Sequence, residues 1–152
     1  MTLEAILAYL HIAAILMVTV FLTSQAALLR MEWLNEAVVH RLTRVDAIYA
    51  GAALALLATG LARTWWGLKG AAWYWHQPLL HLKLTLYVVI GLMSIVPTLR
   101  YRRWRRALLA GQGLPSEAEV RSTRKLVMWE AHLMVLVPIA AVCLARGIGT
   151  RG

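Results

Sequence analysis

The sequence contains few charged residues, few acidic residues and a single cysteine. Charged side chains make up 15% of the 152 residues and only seven are Asp or Glu, whereas about a quarter of a typical soluble domain is charged. Cys143, the one cysteine, excludes an internal disulfide and any zinc site or cluster built from several cysteines. Clustered Met-x-x-Met motifs, expected along a copper path, are also absent.

Apolar residues take the place of the missing charges. They form 61% of the chain, the mean hydropathy is +0.64, and one small core cannot bury this excess. Four apolar stretches, 3–29, 45–66, 78–99 and 126–145, each approach the roughly 20 residues that a membrane-crossing helix needs. We do not expect the first stretch to be a cleavable signal peptide, because it carries Glu4 where such a peptide has basic residues and is longer than the apolar region of one. Continuous apolar runs exclude spanning strands. We therefore predict one all-α domain, 1–152: a membrane-embedded antiparallel four-helix bundle.

The distribution of the basic residues predicts an orientation. The formal net charge is +9, but three basic residues flank the first connection and eight lie between Arg100 and Lys125. The second connection has only Arg63 and Lys69. The positive-inside rule then places the first and third connections in the cytoplasm and both termini outside. We expect the segment Arg100–Arg106 to meet anionic headgroups, so the charge does not call for nucleic acid as a partner; a homo-oligomer stays open.

A repeat relates the two halves of the chain. Leu10-His11 is followed nineteen residues later by Arg30, and Leu80-His81 is followed nineteen residues later by Arg100. The second stretch opens Arg-Leu-Thr-Arg at 41–44, and the fourth opens Arg-Ser-Thr-Arg at 121–124. These matches predict two parallel helical-hairpin repeats about an axis along the membrane normal. The histidine-bearing helices are then diagonal neighbours, with a gap that suits a metal or porphyrin between two imidazoles.

Ionisable residues inside the spans are the candidates for function, because each costs roughly 2.5–3.5 kcal/mol at mid-helix. His11 and His81 hold matched positions, and neutral imidazole is a common ligand of haem iron. Lys83 lies about 200° around its helix from His81, so both cannot point squarely at one small ligand. Glu130 is expected to form a structural ion pair with an arginine such as Arg41, Arg44 or Arg124.

Other residues of these helices have plainer interpretations. Lys83 reaches the surface by snorkelling, and Arg63 with Lys69 either meets acidic propionates or contacts headgroups. A ridge of small residues on the second helix favours close helix packing, although it would also leave room for a flat macrocycle; it comprises Ala47, Gly51, Ala55 and Thr59. His76 and His40 are expected at the surface.

Two resemblances extend this interpretation. His81-Leu-Lys83-Leu before an Arg-rich tail, Leu10-His11-Ile in the first helix and Glu130 resemble motifs of the haem-containing, membrane-embedded protoporphyrinogen IX oxidases of bacteria. This chain departs from the oxidase motifs at two positions, where Trp129 stands in place of an Asn and His132 stands in place of a Pro. The stretches 58–63, 69–72 and 91–100 resemble an uncharacterised family of predicted bacterial four-helix integral membrane proteins, which implies the topology and no activity.

The leading hypothesis is a b-type haem protein of the bacterial inner membrane with His11 and His81 as axial ligands. Lys83 and Arg63 complete the predicted cofactor-binding residues. Electron transfer, or oxidoreductase chemistry with a quinone or porphyrinogen, would be its function. The alternatives are a copper-handling membrane protein using Met17 and Met93, and a cofactor-free assembly or transport subunit. A transporter would need a deeper polar stripe than Gln25, Ser94 and a few threonines predict.

Overall fold

The computed structural model describes residues 2–66, 70–146 and 148, and Lys69 and Gly152 lie outside them. The described residues form helices and no strand, which confirms the all-α prediction. The helices are α1 (Thr2–Leu28), α2 (Glu36–Trp66), α3 (Ala71–Trp75), α4 (Pro78–Leu109) and α5 (Glu117–Ala145), with a short 3-10 helix at Met31–Trp33. The four long helices are long and apolar enough to cross a membrane.

Local signals explain where the helices begin and end. The Asn35 side chain accepts a hydrogen bond from the Val38 backbone amide at 2.9 Å and caps α2. Pro78, which lacks an amide hydrogen, opens α4. At the end of α4, Gly111 adopts φ +72°, a left-handed conformation that glycine reaches without a steric cost. Ser116 caps α5 by accepting from the Glu119 amide at 3.3 Å.

The helices α2, α4 and α5 are longer than the predicted spans, since α2 begins at Glu36, α4 ends at Leu109 and α5 begins at Glu117. All three extensions lie at one end of the bundle, which we call the basic end because it holds the Arg100–Arg106 segment. Ion pairs support the extra turns: Arg103 pairs with Glu119, and Arg121 pairs with Glu117. The Glu119 carboxylate therefore bonds to α4, whereas a capping box would turn it back to its own helix.

The long helices run alternately up and down. Tyr49 of α2 meets Ser94 of α4, and Asp46 meets Thr98, so residue numbers fall along α4 as they rise along α2. Helix α1 packs against α2 and α5, and α4 packs against the same two helices. Helices α1 and α4 are therefore diagonal neighbours, as in an up-down four-helix bundle. The single-domain assignment and the superposition of the two hairpins stay predictions.

The dry core of the bundle lies toward the basic end. It contains Val18, Leu22, Leu29, Val39, Leu42, Tyr101, Trp104, Val120 and Val127, each at most 2% exposed. These side chains come from all four long helices. Beyond this core, toward the opposite end, the helices enclose a cavity, so stability and candidate chemistry occupy different depths of the bundle.

The small-residue ridge of α2 corrects one prediction. Ala47, Gly51 and Ala55 are exposed, and a Cβ added to Gly51 would meet no atom within 4 Å. The face of α2 that packs inside the bundle carries Tyr49 and Ala52 instead. The expectation of close packing within the chain is therefore wrong for these three members of the ridge, whereas the fourth, Thr59, contacts His11 of α1.

A buried hydrogen bond between diagonal helices gives a testable stability prediction. The Tyr101 hydroxyl donates to Gln25 Oε1 at 3.1 Å, and these side chains are 0% and 2% exposed. Tyr101→Phe removes the donor and leaves the buried amide oxygen unpaired, so we expect a loss of about 1–3 kcal/mol of unfolding free energy. Denaturant unfolding in detergent measures it. Tyr9→Phe, at a residue 72% exposed, is the control and should be neutral.

Candidate functional site

A cavity of about 310 Å³ lies between the four long helices. We call it the histidine cavity; the residues lining it include His11, Leu56, Gly60, Lys83, Tyr87 and Val137. Its wall is mostly aliphatic, and no acidic residue lines it within the described part of the chain. Ile15 and Val142, which also line it, are exposed at the bundle surface. The cavity thus joins an apolar interior to the surroundings of the helices.

His11 is the half-buried imidazole of this cavity, and contacts with α2 fix its orientation. Its Nδ1 lies 3.0 Å from Thr59 Oγ1. The Thr59 hydroxyl also lies 2.7 Å from the Ala55 carbonyl oxygen. When it donates its single hydrogen there, Thr59 accepts a hydrogen bond from an Nδ1–H, and Nε2 is then the nitrogen with a free lone pair. A carbonyl or hydroxyl that holds one ring nitrogen is the usual support of a metal-bound histidine.

His81 is placed differently. It is exposed, its Nε2 lies 2.9 Å from the Trp75 carbonyl oxygen, and it is not among the residues that line the histidine cavity. The residue equivalent to Thr59 in the second repeat is Ile139 if the opening motifs 41–44 and 121–124 are aligned, or Val142 if the Leu-Ala-Arg motifs 61–63 and 144–146 are aligned. Neither side chain can accept a hydrogen bond. His81 bonds to the backbone beyond its own helix instead. Its role as an axial ligand stays a prediction.

The other two predicted cofactor-binding residues lie on the cavity side of the bundle. Lys83 is half-buried and lines the cavity with His11, so the structure brings these two residues together. Arg63, near the end of α2, is half-buried and close enough for its charge to act on both. The cavity therefore combines two nitrogen donors with a nearby fixed positive charge.

The remaining histidines of the chain are at the surface. His40 is exposed, His76 is exposed with Nδ1 2.7 Å from the Ala72 carbonyl oxygen, and His132 is exposed with Nδ1 2.5 Å from the Met128 carbonyl oxygen. His40 and His76 lie where the sequence predicted.

A second constellation, which the sequence did not predict, is the central polar triad of Tyr49, Ser94 and Glu130. Ser94 Oγ lies 2.8 Å from Glu130 Oε2 and 3.1 Å from the Tyr49 hydroxyl. Glu130 is 1% exposed, and its other oxygen, Oε1, has no hydrogen-bond partner among the described residues. A buried acidic group with an unpaired oxygen is costly, and inside a span it indicates function.

The triad corrects the expected partner of Glu130. The sequence predicted an ion pair with Arg41, Arg44 or Arg124, but the carboxyl group accepts from Ser94, and no ion pair to it is found among the described residues. Arg124 points its Nε toward the Ala26 carbonyl oxygen at 3.5 Å instead. Glu130 lies on the face of α5 that is buried in the bundle, where its partner is Ser94 of α4.

A further acidic side chain lies between the triad and the basic end. Asp46 is 5% exposed and accepts a hydrogen bond from the Thr98 hydroxyl at 2.9 Å. It also lines an open groove of about 780 Å³ with Arg102, Arg105 and Arg106, which we call the arginine groove. Asp46 thus joins one buried hydroxyl, that of Thr98, to a basic surface.

The triad lies next to the histidine cavity, on the side of the basic end. Tyr49, Ser94 and Glu130 are each seven residues from a cavity-lining residue of the same helix, namely Leu56, Tyr87 and Val137. Seven residues are close to two helical turns and about 10 Å along the axis, so each pair shares a helix face. On α4 this spacing was visible in the sequence, where Lys83, Tyr87 and Ser94 share one face. The matching polar positions on α2 and α5 were not recognised.

Gly60 provides a local test of how His11 is held. A Cβ on Gly60 would lie 3.2 Å from His11 Cε1, so the ring must move by a few tenths of an ångström to admit it. Gly60→Ala is expected to change the imidazole resonances of His11 in spectra of ¹⁵N-histidine-labelled protein. Gly51→Ala, on the same helix with no atom in reach of its Cβ, should leave them unchanged. Equal shifts in both variants would contradict the packing of Gly60 against His11.

The comparisons with known proteins identify the family. Residues 3–149 match the model of the family DUF2214, whose description is "Predicted membrane protein". No curated protein and no solved structure matches the chain, so the resemblance to the porphyrinogen oxidases stays a prediction. With four helices able to cross a membrane and a family match over nearly its whole length, the chain belongs to the predicted membrane proteins of family DUF2214.

Proposed function

We propose that this membrane protein binds haem b in the histidine cavity and serves electron transfer, with His11 as an axial ligand. The observation that carries the proposal is the contact of His11 Nδ1 with Thr59 Oγ1 at 3.0 Å, because a Thr59 hydroxyl that donates to Ala55 holds Nδ1–H and leaves Nε2 for a ligand. When bound, haem would supply one-electron chemistry, and the chain would supply ligand, orientation and an apolar environment.

The mostly aliphatic lining of the cavity fits the apolar ring of a porphyrin. Its volume of about 310 Å³ is near the lower end of the roughly 300–1,000 Å³ of ligand pockets. Its open side at Ile15 and Val142 leaves room for the rest of a larger ring. Arg63, whose charge acts on His11 and Lys83, would attract the acidic substituents of a porphyrin, which is one of the two roles that the sequence allows for it.

Three side chains compete to be the second ligand. His81 is the partner expected from the repeat, and to serve it must give up the Trp75 carbonyl oxygen. Lys83 and Met134 already line the cavity with His11. His–Met ligation raises the reduction potential of haem relative to other ligand pairs, so the choice of partner determines the redox function. A quinone is the small-molecule electron partner that a membrane-buried site suits, with a porphyrinogen as the alternative from the family resemblance.

The proposal is tested by a visible spectrum of detergent-purified protein from haem-replete cells, oxidised and then reduced with dithionite. We expect the sharp reduced-minus-oxidised bands of a six-coordinate b haem. Pyridine extraction quantifies the haem per chain. A colourless protein, both from cells and after incubation with haemin, would refute the proposal.

A second candidate is a copper-handling protein, favoured by the presence of His11 and Met134 in one cavity. Imidazole and thioether are both ligands for copper, and the thioether selects Cu(I). The two methionines considered from the sequence, Met17 and Met93, are not among the residues that line this cavity. Metal analysis of the same preparation separates the two candidates, because copper without haem would support this one.

For the location we propose the bacterial inner membrane, with the basic end of the bundle on the cytoplasmic side. The support is the concentration of arginines there, which the positive-inside rule associates with the cytoplasm. The arginine groove, where Arg102, Arg105 and Arg106 face apolar Leu99 and Leu109, is suited to anionic lipid headgroups.

This orientation makes a direct prediction. Cysteine accessibility or reporter fusions should place Gly70 and Gly152 outside and Gln112 inside the cell. An even number of spans returns the tail to the side of the N-terminus. A cytoplasmic signal at Gly152 together with an external signal at Gln112 would reverse the proposed orientation.

A further inference from the structure

We propose that a file of buried polar side chains carries protons between the arginine groove and the histidine cavity, and that Glu130 holds the proton in transit. The polar file consists of Asp46 and Thr98, then the central polar triad, then Tyr87 at the cavity wall. The inference rests on the proposed redox function in one respect, the reason for moving protons. A cofactor in the cavity that gains an electron needs a compensating positive charge, which a proton supplies. The route itself is argued from the groups that form it.

Glu130 is the only acidic group of the triad and is closed off from solvent. At 1% exposure, with Oε2 on Ser94 and Oε1 unpartnered among the described residues, its ionised form would leave charge on an unpaired oxygen. The carboxylic acid carries no net charge and also provides a hydrogen-bond donor to Ser94. The site can therefore store one proton on a group that no cation pairs within the described structure.

Protons pass from one group of the file to the next through Ser94, because its hydroxyl lies within hydrogen-bond distance of three oxygens. Its single hydrogen can point to Glu130 Oε2 at 2.8 Å or to the Ile90 carbonyl oxygen at 2.9 Å. In the first arrangement Glu130 is ionised and accepts. In the second, Glu130 is protonated and donates to Ser94. The Tyr49 hydroxyl, 3.1 Å from Ser94 Oγ, can donate in both, so the two states share one geometry.

The file reaches a solvated surface at one end and the cavity at the other. Asp46 lies one helical turn from Tyr49 on α2 and lines the arginine groove, which is open to water. Tyr87 lies two turns from Ser94 on α4, lines the cavity and donates its hydroxyl hydrogen to the Ala53 carbonyl oxygen. The charged and titratable groups close enough to Glu130 for their charges to interact with it are Asp46 and Tyr49 of α2 and Tyr101 of α4. Helix α1 contributes the neutral amide of Gln25, which bonds to Tyr101 nearer the basic end.

Each transfer step breaks one O–H bond and forms another, with no change in electrons. Water in the groove protonates the Asp46 carboxylate, and a water molecule carries the proton on to Tyr49, because these two side chains share no direct hydrogen bond. The Tyr49 hydroxyl accepts that proton and donates its own to Ser94 Oγ, which donates its own to Glu130 Oε2. On the cavity side a second water molecule accepts the proton from the carboxylic acid, Glu130 becomes a carboxylate again, and the file returns to its first arrangement. A site that held a metal cation here would instead keep Glu130 ionised.

The test is infrared spectroscopy of the full-length protein in lipid. A buried protonated carboxylic acid gives a carbonyl band that shifts in deuterated water. We expect such a band in the parent protein, its loss in Glu130→Gln and its retention at a shifted position in Glu130→Asp. Glu32→Gln, at an exposed residue, is the matched control and should leave the band unchanged.

The relay is tested by the deuterium exchange of that band. Ser94→Ala and Tyr49→Phe keep Glu130 but remove the hydroxyls next to it, so the band should persist and exchange more slowly. Tyr9→Phe should exchange at the parent rate. A band unaffected by Glu130→Gln, a carboxylate signal that responds to added sodium, or parent-like exchange in both hydroxyl variants would each overturn the proposal. These results do not require haem, so a colourless protein would refute the cofactor and leave this test intact.

Discussion

Alanine in place of His11 is expected to abolish the six-coordinate haem spectrum, while Thr59→Ala weakens haem binding about 10–100-fold. The first change removes the imidazole that, among the described residues, alone lines the cavity. The second removes the acceptor that holds Nδ1 at 3.0 Å and leaves the ring free to rotate or change tautomer. Haemin titration of purified protein, followed by absorbance, measures both effects.

Three separate variants, His81→Ala, Lys83→Leu and Met134→Leu, identify the second ligand. The substitution that changes the absorbance spectrum of the six-coordinate haem identifies the residue that binds the iron together with His11. His40→Ala and His76→Ala are the controls, because both side chains are exposed and should leave the spectrum intact. An unchanged spectrum in His11→Ala would eliminate the ligand on which the proposed function is built.

Glu130→Met is expected to stabilise the bundle by about 1–3 kcal/mol. A buried polar group without a hydrogen-bond partner costs about this much, and Glu130 has an oxygen without a partner among the described residues. Methionine fills the same space with a flexible apolar chain. The same substitution removes the group that holds the proton, so stability and proposed function should move in opposite directions.

Denaturant unfolding in detergent, followed by tryptophan fluorescence, measures this change. Glu32→Met is the control, and as an exposed substitution it should stay within about 0.5 kcal/mol. Ser94→Ala is expected to lower stability because it leaves Glu130 Oε2 and the Tyr49 hydroxyl without their partner. If Glu130→Met proved as destabilising as Ser94→Ala, the carboxyl group would be a structural anchor and not a functional cost.

Sequence patterns alone determined the architecture of this protein. The length of the four apolar stretches specified the spanning helices, and short connections made neighbouring helices antiparallel. The turn at Gly111 and the cap at Ser116 follow from backbone preferences that act within a few residues. These features are local, so they can be identified without knowing which helices touch.

The tertiary structure decided which polar groups meet. The sequence singled out His11 and His81 as equals, but Thr59 lies opposite only His11, so one imidazole faces the cavity and the other bonds to backbone at the surface. The sequence also suggested arginines as the partners of Glu130, whereas the carboxyl group is hydrogen-bonded to Ser94. The physical reason is the same in both cases: the partner of a side chain depends on the rotation and axial register of the neighbouring helix. Periodicity within one helix gives a residue's face, and only the packing of several helices determines what that face meets.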